Sequence, residues 1–172
     1  MPSLVAAALT GTLVLAPLAA PPQQSQQDSA FITAAGYGGN FEVAGGQLAQ
    51  ARGGSPAVRA FGARMVTDHT RIDNQLAAIA TKAGGATVPH GLNPSQQHIV
   101  TNWSRLNGQA FDCSYEPAAY LDHVGAIGLF QAEAAHGDNP DLVTFARQTL
   151  PTLQEHERMI SAALTGLNCS VV

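Results

Sequence analysis

The sequence predicts an all-α protein built as an antiparallel bundle of four long helices. Three observations lead to this fold class. Polar capping residues followed by proline recur along the chain, glycines follow the long apolar-patterned stretches, and no stretch shows the alternation that a strand requires. At 172 residues the chain is long enough to bury one core without a metal ion or a disulfide.

The first element is an export segment that precedes the bundle. Residues 4–18 are almost all apolar or small, Ala19 and Ala20 follow, and residues 21–28 are polar with two prolines. This pattern predicts a signal peptide at residues 1–20, a polar linker at 21–28 and a periplasmic or secreted protein. The apolar run lacks a preceding lysine or arginine, and Pro21 disfavours cleavage after Ala20, so an uncleaved anchor is the alternative. Membrane contact is expected only through that segment, if it is uncleaved.

Start and stop signals divide the rest of the chain into helices. Polar caps precede prolines at Ser55-Pro56, Asn93-Pro94 and Asn139-Pro140. Glycines that end helices are expected at 53–54, 84–85, 108 and 137. The expected helices are 29–52, 56–83, 94–107, 115–136 and 140–167, within a bundle domain at 29–168 and before a tail at 169–172.

The segment between the second and fourth helices separates two helical hairpins. It covers residues 84–114 and contains the short helix, so it can run the length of the bundle. A crossover of this length distinguishes ferritin-like bundles from simple up-and-down ones. The predicted fold is therefore a ferritin-like antiparallel four-helix bundle with a crossover that carries a short fifth helix.

Charge and cysteine content restrict the partners and the compartment. The net charge is −4 and the eight lysines and arginines are scattered, which argues against nucleic acid as a partner. Cys113 and Cys169 are the two cysteines, and an even number in an exported chain predicts one disulfide between them. Two free thiols would be the alternative in a cytosolic protein.

Three histidines fall on the apolar faces of their helices. Seven-residue spacing places His69 on the core face of the second helix, and three- and four-residue spacings do the same for His123 and His156. In the first helix, Glu42 lies at the midpoint of a line of small residues. Each histidine follows an acid that could accept a hydrogen bond from an imidazole of a neighbouring helix. These acids are Asp68, Asp122 and Glu155.

All four side chains lie near mid-helix, so we expect the bundle to bring them into one layer. One carboxylate and three imidazoles suit zinc, iron, copper or nickel. The sequence therefore predicts a site for one first-row transition-metal ion formed by Glu42, His69, His123 and His156. The alternative is that each imidazole is satisfied by a carboxylate or carbonyl and serves only packing.

The expected function is the binding of a metal ion or a proton by the interior histidines, for storage, buffering or sensing. The alternative is a structural or interaction protein of the cell envelope, with another envelope protein or a second copy as partner. A metal-dependent enzyme would need an open coordination position and a pocket. No catalytic residue is predicted, since Glu133-x-x-His136 is the one Glu-x-x-His pair and di-iron sites need two.

Several segments resemble a known family over roughly residues 30–164. The most specific are Met65-Val66-Thr67-Asp68-His69 and Leu150-Pro151-Thr152-Leu153 leading to His156, with Phe41-Glu42-Val43 and Phe111-Asp112 in support. This pattern is similar to the bacterial ferritin-like domain-of-unknown-function family numbered 4142, whose members are often described as outer-membrane or exported proteins. The resemblance implies the fold and export, and it implies no established activity. The glycine-rich first helix and the two cysteines depart from the family pattern.

Overall fold

The computed structural model describes residues 25–82 and 86–169. Within these residues the chain is all-helical, apart from one isolated bridge between Gly53 and Gly108. The helices are α1 (Gln26–Arg52), α2 (Pro56–Lys82), α3 (Pro94–Trp103), α4 (Gly108–His136) and α5 (Pro140–Leu164). The helical bundle predicted from the sequence is confirmed.

Two helical hairpins form the bundle. Helices α1 and α2 pack together across a turn at residues 53–55, and α4 and α5 pack together across a turn at 137–139. The bridge between Gly53 and Gly108 places the end of α1 beside the start of α4. The connection from α2 to α4 has therefore returned along the whole bundle, as a ferritin-like crossover does.

The largest difference from the sequence prediction is the start of α4. Gly108 was expected to end a helix, but it begins α4 with a left-handed φ of 58°, which glycine adopts without a steric cost. Helix α4 therefore begins seven residues earlier than expected and contains Pro117. The added residues include Phe111, which is 0% exposed, and its burial outweighs the weak local start signal.

The other helix boundaries differ by a few residues. Helix α1 begins three residues early because the hydroxyl of Ser25 accepts a hydrogen bond from the backbone N–H of Asp28, so the end of the expected linker is helical. Helix α3 ends at Trp103 and α5 at Leu164, each before the expected residue. The predicted caps of the later helices are present, and Asn93 forms a capping box with Gln96.

Two buried aspartates join each hairpin to the turn of the other. Asp112 of α4 accepts hydrogen bonds from the backbone N–H groups of Gly54 and Ser55, in the turn between α1 and α2. Asp28 of α1 accepts hydrogen bonds from Asp138 and Asn139, in the turn between α4 and α5. Each carboxylate satisfies donors that would otherwise be unpaired at a helix start, and the two contacts fix how the hairpins dock.

Helices α1 and α2 approach closely at two glycines. A Cβ atom on Gly46 would lie 2.7 Å from the carbonyl oxygen of Gly62, and one on Gly62 would lie 2.6 Å from that of Gly46. Larger side chains would push the two backbones apart. The glycines of the first helix therefore allow close helix packing and bring α1 near its neighbours at the level of Glu42.

The apolar core consists of two clusters with a polar layer between them. One cluster includes Phe31, Leu76 and Phe145, and the other includes Phe61, Met65 and Tyr115. In α2, α4 and α5 a buried histidine separates the residues of the first cluster from those of the second. The polar layer is thus enclosed on both sides by apolar side chains, which reduces its exposure to water.

Cys113 near the start of α4 and Cys169 after α5 lie at disulfide distance, with their Sγ atoms 2.05 Å apart. This pair is compatible with an oxidising, extracytoplasmic location. In the described part of the chain, none of the helices combines the length and the apolar character that crossing a bilayer requires. The predicted signal segment at residues 1–20 lies outside the described residues.

Candidate metal centre

Each of the four long helices contributes one buried polar side chain to the layer between the two core clusters. Glu42 comes from α1, His69 from α2, His123 from α4 and His156 from α5, and none is more than 5% exposed. The heptad and three-to-four spacing that predicted their burial is therefore confirmed. The core-facing sides of the four long helices meet at this level, so the layer contains side chains that are far apart in sequence.

The three imidazoles form a nearly equilateral triangle, which we call the histidine cluster (His69, His123 and His156). The ring centroids are 5.4–5.5 Å apart for all three pairs. One nitrogen from each ring lies within 4.8 Å of a nitrogen from each of the others. Among the described residues, this is the group whose donors converge closely enough to hold one metal ion.

The hydrogen bonds of His123 identify the nitrogen that carries its proton. Nδ1 of His123 lies 2.9 Å from the carbonyl oxygen of Ala119, one turn earlier in α4. A carbonyl oxygen can only accept, so Nδ1 is protonated and donates. The carboxylate of Glu42 lies 3.4 Å from the same nitrogen. Nε2 of His123 is left with its lone pair directed into the cluster.

The hydrogen bond of His156 to a carboxylate likewise identifies the nitrogen that carries its proton. Nε2 of His156 lies 2.9 Å from Oδ2 of Asp68, which can accept a proton donated by the ring. Arg64 donates to the same oxygen from one turn earlier in α2, and it also lies 3.4 Å from Glu155. Asp68 is thus held in place between a guanidinium and an imidazole, and Nδ1 of His156 keeps its lone pair.

Two imidazole lone pairs face each other as a consequence. Nε2 of His123 and Nδ1 of His156 are 3.4 Å apart, and the hydrogen bonds described above place the protons of both neutral rings on their other nitrogens. Two acceptors at this distance repel each other unless a cation lies between them. That cation is either an additional proton on one ring or a metal ion bound by both.

The third ring, His69, has no hydrogen-bond partner at Nε2 although this atom is buried. Burial, together with the charges of the two other histidines and against the opposing charge of Glu42, lowers the pKa of His69 to about 3, so its ring is neutral at physiological pH. A neutral, unpartnered imidazole nitrogen is costly to bury unless it binds something. His69 therefore adds a third nitrogen with a free lone pair beside those of His123 and His156.

The charge that the cluster already contains is concentrated on His123 and Glu42. Burial alone would lower the pKa of His123, but the adjacent Glu42 carboxylate outweighs it and raises that pKa. Burial would likewise raise the pKa of Glu42, and the charge of His123 together with its hydrogen bond lowers it instead. For His156, burial lowers the pKa, and the hydrogen bond to Asp68 opposes this only in part. Without metal, the additional proton therefore belongs on His123.

The distances suit a transition-metal ion. Two nitrogens that bind one tetrahedral ion at about 2.0–2.1 Å are themselves about 3.3–3.4 Å apart. The separation of 3.4 Å between Nε2 of His123 and Nδ1 of His156 matches this value. One nitrogen of His69 lies within 4.8 Å of the other two and would have to move closer to bind the same ion. The residues present therefore fit such an ion.

The position of the Glu42 carboxylate differs from the one predicted from the sequence. It was expected to join the three histidines as a ligand, but it lies on the Nδ1 side of His123, away from the nitrogen that faces His156. Asp68 takes the equivalent position behind His156. Carboxylates in these places orient the imidazole and increase its basicity, which is the usual arrangement behind metal-bound histidines.

The remaining histidines do not join the cluster. His90 and His98 lie in the crossover and His136 lies at the end of α4, and all three are exposed. Glu133 and His136 belong to the far end of α4, where Glu133 accepts a hydrogen bond from Gln27. The single Glu-x-x-His pair is therefore separate from the polar layer.

A cleft of about 370 Å³ adjoins the cluster, and His69 forms part of its wall. Its other polar residues are Asp73 and Asp122, which sequence analysis did not select as site residues. Burial raises the pKa of Asp73 to about 7, and burial together with the Glu42 charge raises that of Asp122 to about 8. Asp73 had no sequence signal, because it sits at the flank of the apolar stripe of α2.

Asp73 is expected to destabilise the protein at alkaline pH. Between its ordinary pKa of 3.8 and its raised pKa of about 7, the folded state keeps a proton that the unfolded state has released. The free energy of unfolding therefore falls as pH rises through this range. Asp73→Asn removes the effect, so we expect it to stabilise the protein by about 1–2 kcal/mol near pH 8, after allowance for partial exposure, and not near pH 4. Urea unfolding at the two pH values measures this difference, and a variant less stable than wild type near pH 8 would contradict it.

Comparison with known proteins supports the fold. A family model described as Domain of unknown function (DUF4142) matches residues 14–163. A crystal structure of a DUF305 fragment from Deinococcus radiodurans has a TM-score of 0.72 and 17% sequence identity, covering 85% of this chain and 100% of that one. At this identity the likeness shows the fold alone. No curated protein matches the chain significantly.

Proposed function

The chain belongs to the DUF4142 family, and we propose that it binds one first-row transition-metal ion through His69, His123 and His156. The observation that carries this proposal is the pair of imidazole lone pairs that face each other 3.4 Å apart. A third unpartnered imidazole nitrogen lies beside them. Three neutral imidazoles suit zinc, copper, iron or nickel. In an exported protein, such a site would serve metal storage, buffering or sensing.

The neighbouring residues have separate roles in this proposal. Glu42 and Asp68 orient His123 and His156 from the far side of each ring, and Arg64 holds Asp68. Burial of the cluster between apolar side chains strengthens these interactions. Three histidines leave a fourth coordination position for water or another small ligand, and the wall of the cleft at His69 is the accessible side of the cluster.

The alternative function is supported by one observation as well. His123 and His156 form a hydrogen-bonded pair when His123 carries the additional proton, because its Nε2 can then donate to Nδ1 of His156. In that case the histidines bind a proton and stabilise the bundle, as in a structural or interaction protein of the cell envelope. The two functions differ in whether metal displaces this proton.

Metal content tests the proposal directly. We expect about one equivalent of a transition metal, by elemental mass spectrometry, in the chain purified without chelator or affinity tag. After treatment with a chelator, titration with Zn²⁺ should restore one equivalent and release protons into the buffer, since metal displaces the proton of His123. Metal-free protein that also fails to bind Zn²⁺ or Cu²⁺ on titration would overturn the proposal and favour the structural function.

Export is a further part of the proposal. The apolar segment at residues 4–18 and the two cysteines at disulfide distance support it. We expect the intact mass of the protein recovered from the periplasm or medium to correspond to a chain that begins near Pro21. A chain that stays in the cytosol with both thiols reduced would contradict export while leaving the metal site open to test.

A further inference from the structure

The cleft beside the histidine cluster is built from small residues. Gly38 and Gly39 of α1 form one wall, Gly125 and Ala126 of α4 form another, and Leu121, at 68% exposure, stands at its edge. A Cβ atom on Gly38 or Gly125 would meet no atom within 4 Å, so the space between the walls is open. A volume of about 370 Å³ lies within the range of small-molecule sites.

The charges of this cleft have one sign. Its described lining contains two acids, Asp73 and Asp122, and neither lysine nor arginine. Oδ1 of Asp73 is buried without a hydrogen-bond partner and lies against Gly39, where a Cβ atom would clash with the carboxylate. Nε2 of His69, a residue that is only 5% exposed, is unpartnered too. Two acceptor atoms of the lining, Oδ1 of Asp73 and Nε2 of His69, are therefore buried without a donor to match them.

We propose that this cleft binds a small, largely apolar molecule that carries one ammonium group. An ammonium group has three N–H donors and one positive charge, which complements the unpartnered carboxyl oxygen of Asp73 in a lining without lysine or arginine. The body of the molecule would contact the apolar part of the lining, which includes Leu129, Phe130 and Leu153. Alcohols of the same shape would fill the same space but could not supply the charge.

This site is distinct in chemistry from the metal centre. Asp73 is not among the residues that converge as metal donors, and the walls at Gly38 and Gly125 belong to the cleft alone. Binding of an ammonium compound can therefore be measured on chelator-treated protein, where the metal proposal plays no part. His69 lines both sites, so the two proposals are tested on different forms of the protein, and failure of one does not decide the other.

The test uses phenethylamine as the probe and phenethyl alcohol as its neutral isostere, on the full chain after chelator treatment. Chemical-shift titration should place phenethylamine at α1, α2 and α4 around the cleft, with a dissociation constant about tenfold below that of the alcohol. Asp73→Asn should remove this preference, and the variant is expected to fold because it loses a destabilising charge. Gly38→Leu should fill the cleft and weaken both probes.

A matched control is available on α4. A Cβ atom on Gly128 would likewise meet no atom within 4 Å, but Gly128 lies outside the cleft, so Gly128→Leu should leave both affinities unchanged. Equal affinity for amine and alcohol in the wild type would overturn the cationic class of ligand. Shifts that persist in Gly38→Leu, or that map to another surface, would overturn the location. Failure to detect either probe at millimolar concentration would overturn the proposal as a whole.

Discussion

Replacement of both His123 and His156 by alanine is expected to abolish metal binding. These residues supply the two nitrogens 3.4 Å apart, and without them His69 is the one cluster ligand that remains. The affinity for Zn²⁺ should fall by more than about 100-fold, because loss of a group that merely orients a ligand already costs about 10- to 100-fold. Isothermal titration in a chelator-free buffer measures the change, and elemental mass spectrometry reports the metal retained on purification.

The chain offers a matched control for this experiment. His98 and His136 are exposed and lie outside the cluster, so the His98→Ala, His136→Ala variant removes the same number of imidazoles. It should keep one equivalent of metal with wild-type affinity. Metal binding that survives in the core variant and disappears in the surface variant would show that exposed histidines bind the metal.

Variants of the two carboxylates separate positioning from packing. Glu42→Gln and Asp68→Asn keep the side-chain volume but remove the charge behind His123 and His156. We expect each to weaken metal binding by about 10- to 100-fold while the helical content stays unchanged. An affinity equal to wild type in both variants would show that these carboxylates do not act on the histidines.

Loss of the disulfide is expected to have the largest effect on stability. Cys113 and Cys169 close a loop with a sequence separation of 56. In the chain-entropy model, opening such a loop lowers the free energy of unfolding by up to about 4 kcal/mol. For a domain of this size the midpoint of thermal unfolding should fall on the order of 10 °C in the Cys113→Ser, Cys169→Ser variant.

The reducing agent itself provides the control for this prediction. Dithiothreitol should lower the unfolding midpoint of the wild type towards that of the double-serine variant, and it should leave the variant unchanged. Metal stoichiometry should be the same in both proteins, because both cysteines lie at the end of the bundle, away from the polar layer. A wild-type protein whose midpoint is insensitive to reduction would contradict the expected contribution.

The sequence predicted which histidines are buried better than it predicted which acid each histidine contacts. The apolar spacing around His69, His123 and His156 determines which face of each helix they occupy, and burial follows from that face alone. Which acid meets which imidazole depends on the relative rotation of two helices. For that reason, the contact between Asp68 and His156 across α2 and α5 was one alternative among several at the sequence level.

Local signals also failed where tertiary contacts outweighed them. Gly108 resembles a helix stop, yet the burial of Phe111 and the hydrogen bond that Asp112 accepts from Gly54 in the turn favour a helix that begins at this glycine. Glu42 was placed correctly in the layer, but its contact with His123 depends on how closely α1 approaches α4. The sequence could not identify Asp73 as a site residue. Whether it has a counter-ion depends on which side chains the neighbouring helices place around it.

The three histidines of the cluster lie on three different long helices, and this arrangement affects native-state hydrogen exchange. An ion bound by residues of α2, α4 and α5 loses ligands whenever one of these helices separates from the others. Metal should therefore slow the exchange of the most protected amides in all three helices by the same factor, while α3 and the turns exchange as before. The bundle would then open as one cooperative unit, rather than as two hairpins that unfold independently.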